Sequence, residues 1–250
     1  MSVAPIAIRT SPSGDNLAPV VLKTPVDTAG VSRTAGQIRT LARGRSPAIF
    51  YLGRQPYRPL WELQRRLHAW RVRGVLPDTV LLLEHEPVYT LGKNAGTANL
   101  LARRPGDAQV VQTDRGGDIT FHGPGQLVGY PIIDLRSHRP SVTWYLRGLE
   151  GVLIRLLGTY GVQGHQIEGL TGVFLGDRKV AALGVRLARW TTMHGFALNI
   201  AVPQPYFDGI IPCGLLDYGV VNLNEALRQP TSVREAAERV SPILREFLRG

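Results

Sequence analysis

The chain of 250 residues contains one cysteine, Cys213. It can form no internal disulfide and no cysteine-based zinc cluster, which excludes a disulfide-stapled scaffold and fits a reducing compartment. Lysine is nearly absent too. Of 29 basic residues only Lys23, Lys93 and Lys179 are lysine, leaving 26 arginines. A lysine kept in such a background is a candidate for chemistry that arginine cannot perform, such as releasing a proton. No apolar run approaches the roughly 18 residues of a membrane helix. The six histidines show no H-x-x-x-H pairing, so no metal site is expected. No zinc-finger spacing and no RNP-like string is present, which argues against nucleic acid as partner despite the net charge of +10.

Residues 1 to 45 lack aromatic side chains and carry six basic against two acidic residues. Their Ser, Thr, Pro, Ala and Gly content predicts a disordered basic extension, with a transit peptide as the alternative of similar composition. The expected folded domain runs from 46 to 250. Without a signal or membrane segment, a cytoplasmic location is expected.

Within that domain, Leu60, Leu63, Leu67 and Trp70 recur at helical spacing between Leu60 and Arg73. Val80–Leu83, Val88–Leu91, Gln109–Thr113 and Leu127–Leu135 read as short strands. A second helix begins at Ser141 and ends near Gly158 or Gly161. Three apolar runs between Thr171 and Val202 predict an antiparallel meander. Ser232 with Glu235 predicts a capping box opening the last helix. Strands and helices mix without a repeating βαβ period. The expected class is α+β, a mostly antiparallel sheet with packed helices.

Four segments carry candidate chemistry. RGGDITFHGPGQ, Arg115 to Gln126, holds four glycines and a proline around one Arg and one His. Such a segment brings backbone close to a ligand or turns N–H groups onto an anion; a tight turn between two strands is the plainer alternative. Lys179 starts a strand after the Gly176–Asp177 turn, where an exposed turn lysine is the plainer alternative. Cys213 lies between Pro212 and Gly214, a setting suited to presenting a thiol in a cleft, with a structural cysteine as the alternative. His194, opening HGFALN, and His122 are each a candidate base or a hydrogen-bonded structural histidine.

Taken together, these segments resemble one family. RGGDITFHGPGQLVGYPIIDL is similar to the RGG-x-x-T-x-HGPGQ-x-x-x-YPI-x-x-L signature of the lipoyl(octanoyl) transferases. TGVFLGDRKVAALGVR, HGFALNI, GIIPCGL and YTLGKNA follow the family in order and spacing, and the likeness covers about residues 47 to 250. The resemblance implies a fold related to the catalytic domains of biotin and lipoate protein ligases. It implies transfer of an octanoyl group from acyl carrier protein to a lysine of lipoyl domains, such as those of 2-oxoacid dehydrogenase E2 subunits and the glycine cleavage H protein. Neither ATP nor metal is implied. Cys213 stands where the family forms its acyl thioester, and Lys179 where a lysine lowers that cysteine's pKa. The acyl substrate would meet Arg115, Gly116, Gly117, Asp118, Ile119, Thr120, Phe121 and His122, with Ala182, Leu183 and Gly184, and with Gly195, Phe196 and Ala197. Phe121 replaces a common Tyr and Ala182 a frequent Ser. The competing reading is an ATP-dependent lipoate or biotin protein ligase of the same fold, whose pattern lacks HGPGQ and needs no Cys213.

Overall fold

A computed structural model describes residues 18–23, 25–93, 95–96, 99–211 and 218–249. Its centre is a seven-stranded sheet. The chain builds β1 (Val20–Val21), α1 (Val31–Leu41), β2 (Ala48–Gln55), α2 (Tyr57–Val72) and β3 (Thr79–His85), with β1, β2 and β3 parallel. The strands β4 (Val88–Leu91), β5 (Gln109–Gln112) and β6 (Ile119–His122) form a separate three-stranded sheet in the order β5-β4-β6. Then come β7 (Gln126–Ile132), α3 (Val142–Gly158), β8 (Val173–Leu175), β9 (Arg178–Ala188), β10 (Thr191–Asn199), α4 (Gln204–Phe207) and α5 (Val233–Phe247). The large sheet runs β1-β2-β3-β7-β10-β9-β8, antiparallel from β3 to β8.

Strand alternation separates two cores. Ile49 and Tyr51 of β2, with Val80 and Leu82 of β3, point to the face covered by α3 and α5. Phe50, Leu52, Leu81 and Leu83 point to the opposite face, covered by α1 and α2. With both faces covered, β2 and β3 read as continuous apolar runs rather than as alternating ones. Ser141 caps α3, its Oγ accepting from Trp144 N at 3.2 Å. Ser232 caps α5 by accepting from Glu235 N at 3.1 Å. The Glu235 carboxylate accepts from Arg239 one turn onward at 2.8 Å. The expected helices, strands and meander are present, and among the described residues no helix is long and apolar enough to cross a membrane.

Two features differ from expectation. The ordered chain does not begin at residue 46. Leu22, Val26, Val31, Ala35 and Ile38 are buried in one cluster with Leu60, Leu63 and Leu67 of α2. Leu22 N donates to Tyr51 O at 2.9 Å, and Val26 N to Gln55 Oε1 at 2.7 Å. The apolar face of α1 is built from one Ile, one Val and small residues, so composition hides it. Residues 1–17 lie outside the described residues. The second difference is that Ile119–His122, inside the glycine-rich segment, is a strand antiparallel to β4 and not part of a turn.

Ile38→Ala tests the first difference. Ile38 is fully buried, so its truncation should cost about 2–5 kcal/mol in urea unfolding. A disordered tail would give a change within about 0.5 kcal/mol.

Candidate functional site

β6 and the middle of the β9–β10 hairpin face a common pocket. The space among its walls, open mouth included, is about 790 Å³. Ile119, Leu183, Phe196, Phe207, Ile210 and Val220 give it apolar walls. Arg115, His122, Gln126, Tyr130, Lys179, His194 and Asn199 place polar groups among them. A broader groove lined by Arg43, Arg71, Asp78, His138 and Arg249 shares no residue with this pocket and is more open.

The segment before β6 is gripped from two sides. The Arg115 guanidinium is buried and donates to Thr90 O at 2.7 Å and to Gly116 O at 3.0 Å. Lys93 N donates to Arg115 O, and Gly116 N to Val185 O at 2.9 Å. Gly117 has a φ of +88°. Its carbonyl lies against Gly92, where an added Cβ would come within 2.2 Å of that oxygen. The tight apposition of these two glycines needs positions without side chains. Asp118 Oδ1 accepts from Ile119 N and Oδ2 from Asn99 Nδ2 at 2.8 Å.

A hydrogen-bond chain runs behind the pocket. Gln126 Nε2 donates to Phe121 O and to Asn199 Oδ1 at 3.0 Å. Its Oε1 is therefore the acceptor facing His122 Nδ1 at 2.8 Å, so Nδ1 carries the proton and Nε2 is a bare acceptor. Asn199 Nδ2 reaches Val221 O at 3.4 Å, and Val221 N donates to Lys179 O. His85 donates from Nδ1 to Gln55 O at 3.0 Å and accepts at Nε2 from the Tyr130 hydroxyl at 2.7 Å. His194 donates from Nε2 to Asp114 Oδ1 at 3.0 Å, and Arg186 holds the second oxygen at 3.2 Å.

These histidines are neutral at pH 7. Burial pushes His85 down to about 4. It also pushes His122 well below the usual imidazole range, with His85 adding to the effect. Burial lowers His194 as well, outweighing Asp114, which accepts the His194 proton and is itself held near 2 by that bond. Burial raises the Tyr130 phenol far above its usual range, so it stays a donor.

Lys179, the second residue of β9, lines the pocket. Its Nζ donates to Thr171 O at 3.3 Å and lies 5.2 Å from the Phe174 ring centroid. The main chain around it is doubly pinned: Lys179 N donates to Gly219 O at 2.8 Å, and Val221 N to Lys179 O at 3.1 Å. Cys213 lies outside the described residues, within 212–217. Ile210 before this stretch and Val220 after it both line the pocket.

Of the residues expected to meet substrate, Arg115, Gly117–Thr120, His122, Ala182–Gly184 and Gly195–Ala197 line the pocket. Gly116 and Phe121 do not. Phe121 turns to the other side of β6, where Tyr206 stacks on it at 4.4 Å and Tyr89 and Phe207 pack around it. Gln126, Tyr130, Phe207, Ile210 and Val220 join the wall without having been expected there. His194 and Asn199 do so from the HGFALN segment. Among the described residues no cluster of three His, Cys, Asp or Glu could hold a metal ion.

The chain matches the lipoyl protein ligase A/B catalytic domain over residues 56–245. It is 52% identical over 164 residues to an octanoyltransferase of Gloeobacter violaceus, covering 65% of this chain and 73% of that one. Over 228 residues it is 43% identical to an octanoyltransferase of Mycolicibacterium gilvum, covering 88% and 93%. The chain belongs to the octanoyltransferase family. It is thus an acyltransferase. The fold matches an archaeal lipoate protein ligase of Thermoplasma acidophilum with a TM-score of 0.60 at 11% identity, over 93% of this chain and 84% of that one. The α+β class with a mostly antiparallel sheet, shared with protein ligases, stands as expected.

For an octanoyltransferase built on neutral buried imidazoles, stability should fall in mild acid. The sign follows from the protons. Unfolded histidines bind a proton near pH 6.5, whereas folded His85 does so only near 4. Between those values the unfolded chain holds more protons, so stability drops as pH falls through that window. His85 alone should remove roughly 3 kcal/mol by pH 4. Urea unfolding at pH 7 and pH 5 should show the loss. Equal stability at both values would contradict the neutral assignment.

Proposed function

We propose that the chain moves an octanoyl group from an acyl-carrier-protein thioester to a lysine of a lipoyl domain through a thioester on Cys213. The observation that carries this reading is the shape of the site. A pocket with apolar walls also takes in Lys179, whose main chain is bonded to Gly219 and Val221, just after 212–217.

In the first step the Cys213 thiolate attacks the donor carbonyl. A new carbon–sulfur bond forms, the bond to the carrier's phosphopantetheine sulfur breaks, and that sulfur leaves as a thiolate that takes up a proton. Lys179 as ammonium would stabilise the Cys213 thiolate and then supply that proton. In the second step the acceptor lysine amine attacks the acyl-enzyme. An amide forms, Cys213 leaves as thiolate, and Lys179 takes the amine's proton. Exchange of one thioester for another is nearly isoenergetic and amide formation is downhill, so the reaction requires neither ATP nor metal. Splitting the transfer in two is covalent catalysis. In this scheme Arg115, Gly117–Thr120, His122, Ala182–Gly184 and Gly195–Ala197 contact the acyl group, with Gly116 and Phe121 supporting that wall from behind.

The lipoyl domains of 2-oxoacid dehydrogenase E2 subunits and the glycine cleavage H protein are the acceptors we assign. A thiol nucleophile must stay reduced, which suits the cytoplasm. The net charge of +10 would speed docking of acidic carrier domains. The test is a transfer assay with octanoyl-acyl carrier protein and an apo-lipoyl domain, read by the mass of the acceptor. Octanoylation without ATP is the expected result. Modification that needs free octanoate and ATP would replace this reading with a ligase.

A further inference from the structure

Glu150, on α3, is fully buried, and burying a carboxyl group costs free energy unless its oxygens are satisfied. Its bonds meet that condition and converge on one segment. Oε1 accepts from Gly172 N at 2.9 Å. Oε2 accepts from Gln166 Nε2 and from Arg147 Nη1, each at 2.8 Å. Arg147 also reaches Leu170 O at 3.4 Å. The segment from 166 to 172, which forms no helix or strand, is thereby tied to a core helix at three points.

That segment forms the cradle of Lys179. Thr171 O accepts from Nζ at 3.3 Å. Gly172, with a φ of +143°, lies flat against the lysine stem; a Cβ there would sit 3.0 Å from Lys179 Cε and 2.9 Å from Ala181 O. Phe174, two residues on, places its ring below the ammonium at 5.2 Å. Glu150 bonds the N–H that directly follows the Thr171 carbonyl, so the same peptide plane that it fixes presents the oxygen to Nζ.

We propose that Glu150 is a positioning residue, which sets the Lys179 amine by anchoring the Thr171–Gly172 peptide to α3. This rests on the role given to Lys179 under Proposed function. Glu150 touches neither substrate nor thiol, and acts only through that peptide.

The test is a double-mutant cycle on the transfer reaction, using the full chain. Glu150→Ala should lower kcat about tenfold to a hundredfold, the scale of a roughly 1 Å misplacement in an active site, with KM within about twofold. Glu150→Gln keeps an oxygen for Gly172 N, while Arg147 can turn to solvent, so it should retain most of kcat. In a Lys179→Ala background, Glu150→Ala should cost no more than about a further twofold, since nothing is left to position. Losses that multiply in the double variant would overturn the proposal, as would unchanged kcat in a folded Glu150→Ala protein. If Glu150→Ala does not fold, Gly172→Ala takes its place in the cycle, because its Cβ pushes the lysine stem directly. A fully active Lys179→Ala protein would defeat the role given to that lysine and the positioning with it. A Lys179→Ala protein of strongly reduced but measurable activity, with multiplying losses, would defeat the positioning alone.

Discussion

Replacing Cys213 with alanine is expected to lower octanoyl transfer by at least about 10³-fold, the scale seen when a covalent nucleophile is removed. Cys213 is the only thiol in the chain, so no neighbouring cysteine can take over. Direct attack by an acceptor lysine on the carrier thioester would then be the remaining route, without proximity to an acyl-enzyme. The melting temperature should move little, because the effect is chemical. Cys213→Ser is the companion variant. Its hydroxyl is a far weaker nucleophile at neutral pH than a thiolate, so it too should be strongly impaired. Initial rates of acceptor octanoylation for the wild type and both variants measure this. A Cys213→Ala enzyme with more than a tenth of wild-type activity would contradict the covalent route.

Lys179→Arg should lose about 10²-fold or more, within the usual contribution of a positioned proton donor and acceptor. Arginine keeps the positive charge and so keeps part of the electrostatic help to a thiolate. It cannot give up a proton in the working pH range. Its bulkier planar guanidinium would also have to be accommodated beside the Thr171 carbonyl, Gly172 and the Phe174 ring. The split between steps is informative. Acylation of Cys213 should be slowed less than transfer to the acceptor, where the amine's proton must leave. Single-turnover measurements of the two half-reactions check this. Full activity in Lys179→Arg would mean that charge alone is required at that position.

The site was partly legible because its signals are local. RGGDITFHGPGQ shows its glycines and its Arg and His within twelve residues, and the structure brings most of that run to the pocket wall. Alternation within β6 was not legible. Four residues, ITFH, framed by glycines look like turn, yet pairing with β4 makes them a strand that sends His122 toward the pocket and Phe121 toward Tyr206. The buried polar groups behind the wall were hidden for another reason. His85 meets Gln55 and Tyr130, and His194 meets Asp114; these partners are 30 to 80 residues apart in the chain. Only the fold joins them. Glu150 was hidden in another way. With Arg147 three residues earlier it resembles an ordinary exposed helix ion pair, and only the packing of α3 under the 166–172 segment buries it. The helix α1 escaped notice because Val31, Thr34, Ala35 and Ile38 make a weak apolar stripe in a segment otherwise rich in small and polar residues. Long apolar faces, such as those of α2, α3 and α5, carried enough periodic signal to be read directly.

The claim at the centre of this account is an octanoyl thioester on the enzyme itself. Intact-mass measurement after mixing the enzyme with octanoyl-acyl carrier protein, in the absence of an acceptor, addresses it most directly. One octanoyl adduct per chain is expected on the wild type, mapping to the peptide that contains Cys213 and discharged when an apo-lipoyl domain is added. No adduct on a wild-type enzyme that is active once acceptor is supplied, or an adduct that persists in Cys213→Ala, would contradict the mechanism.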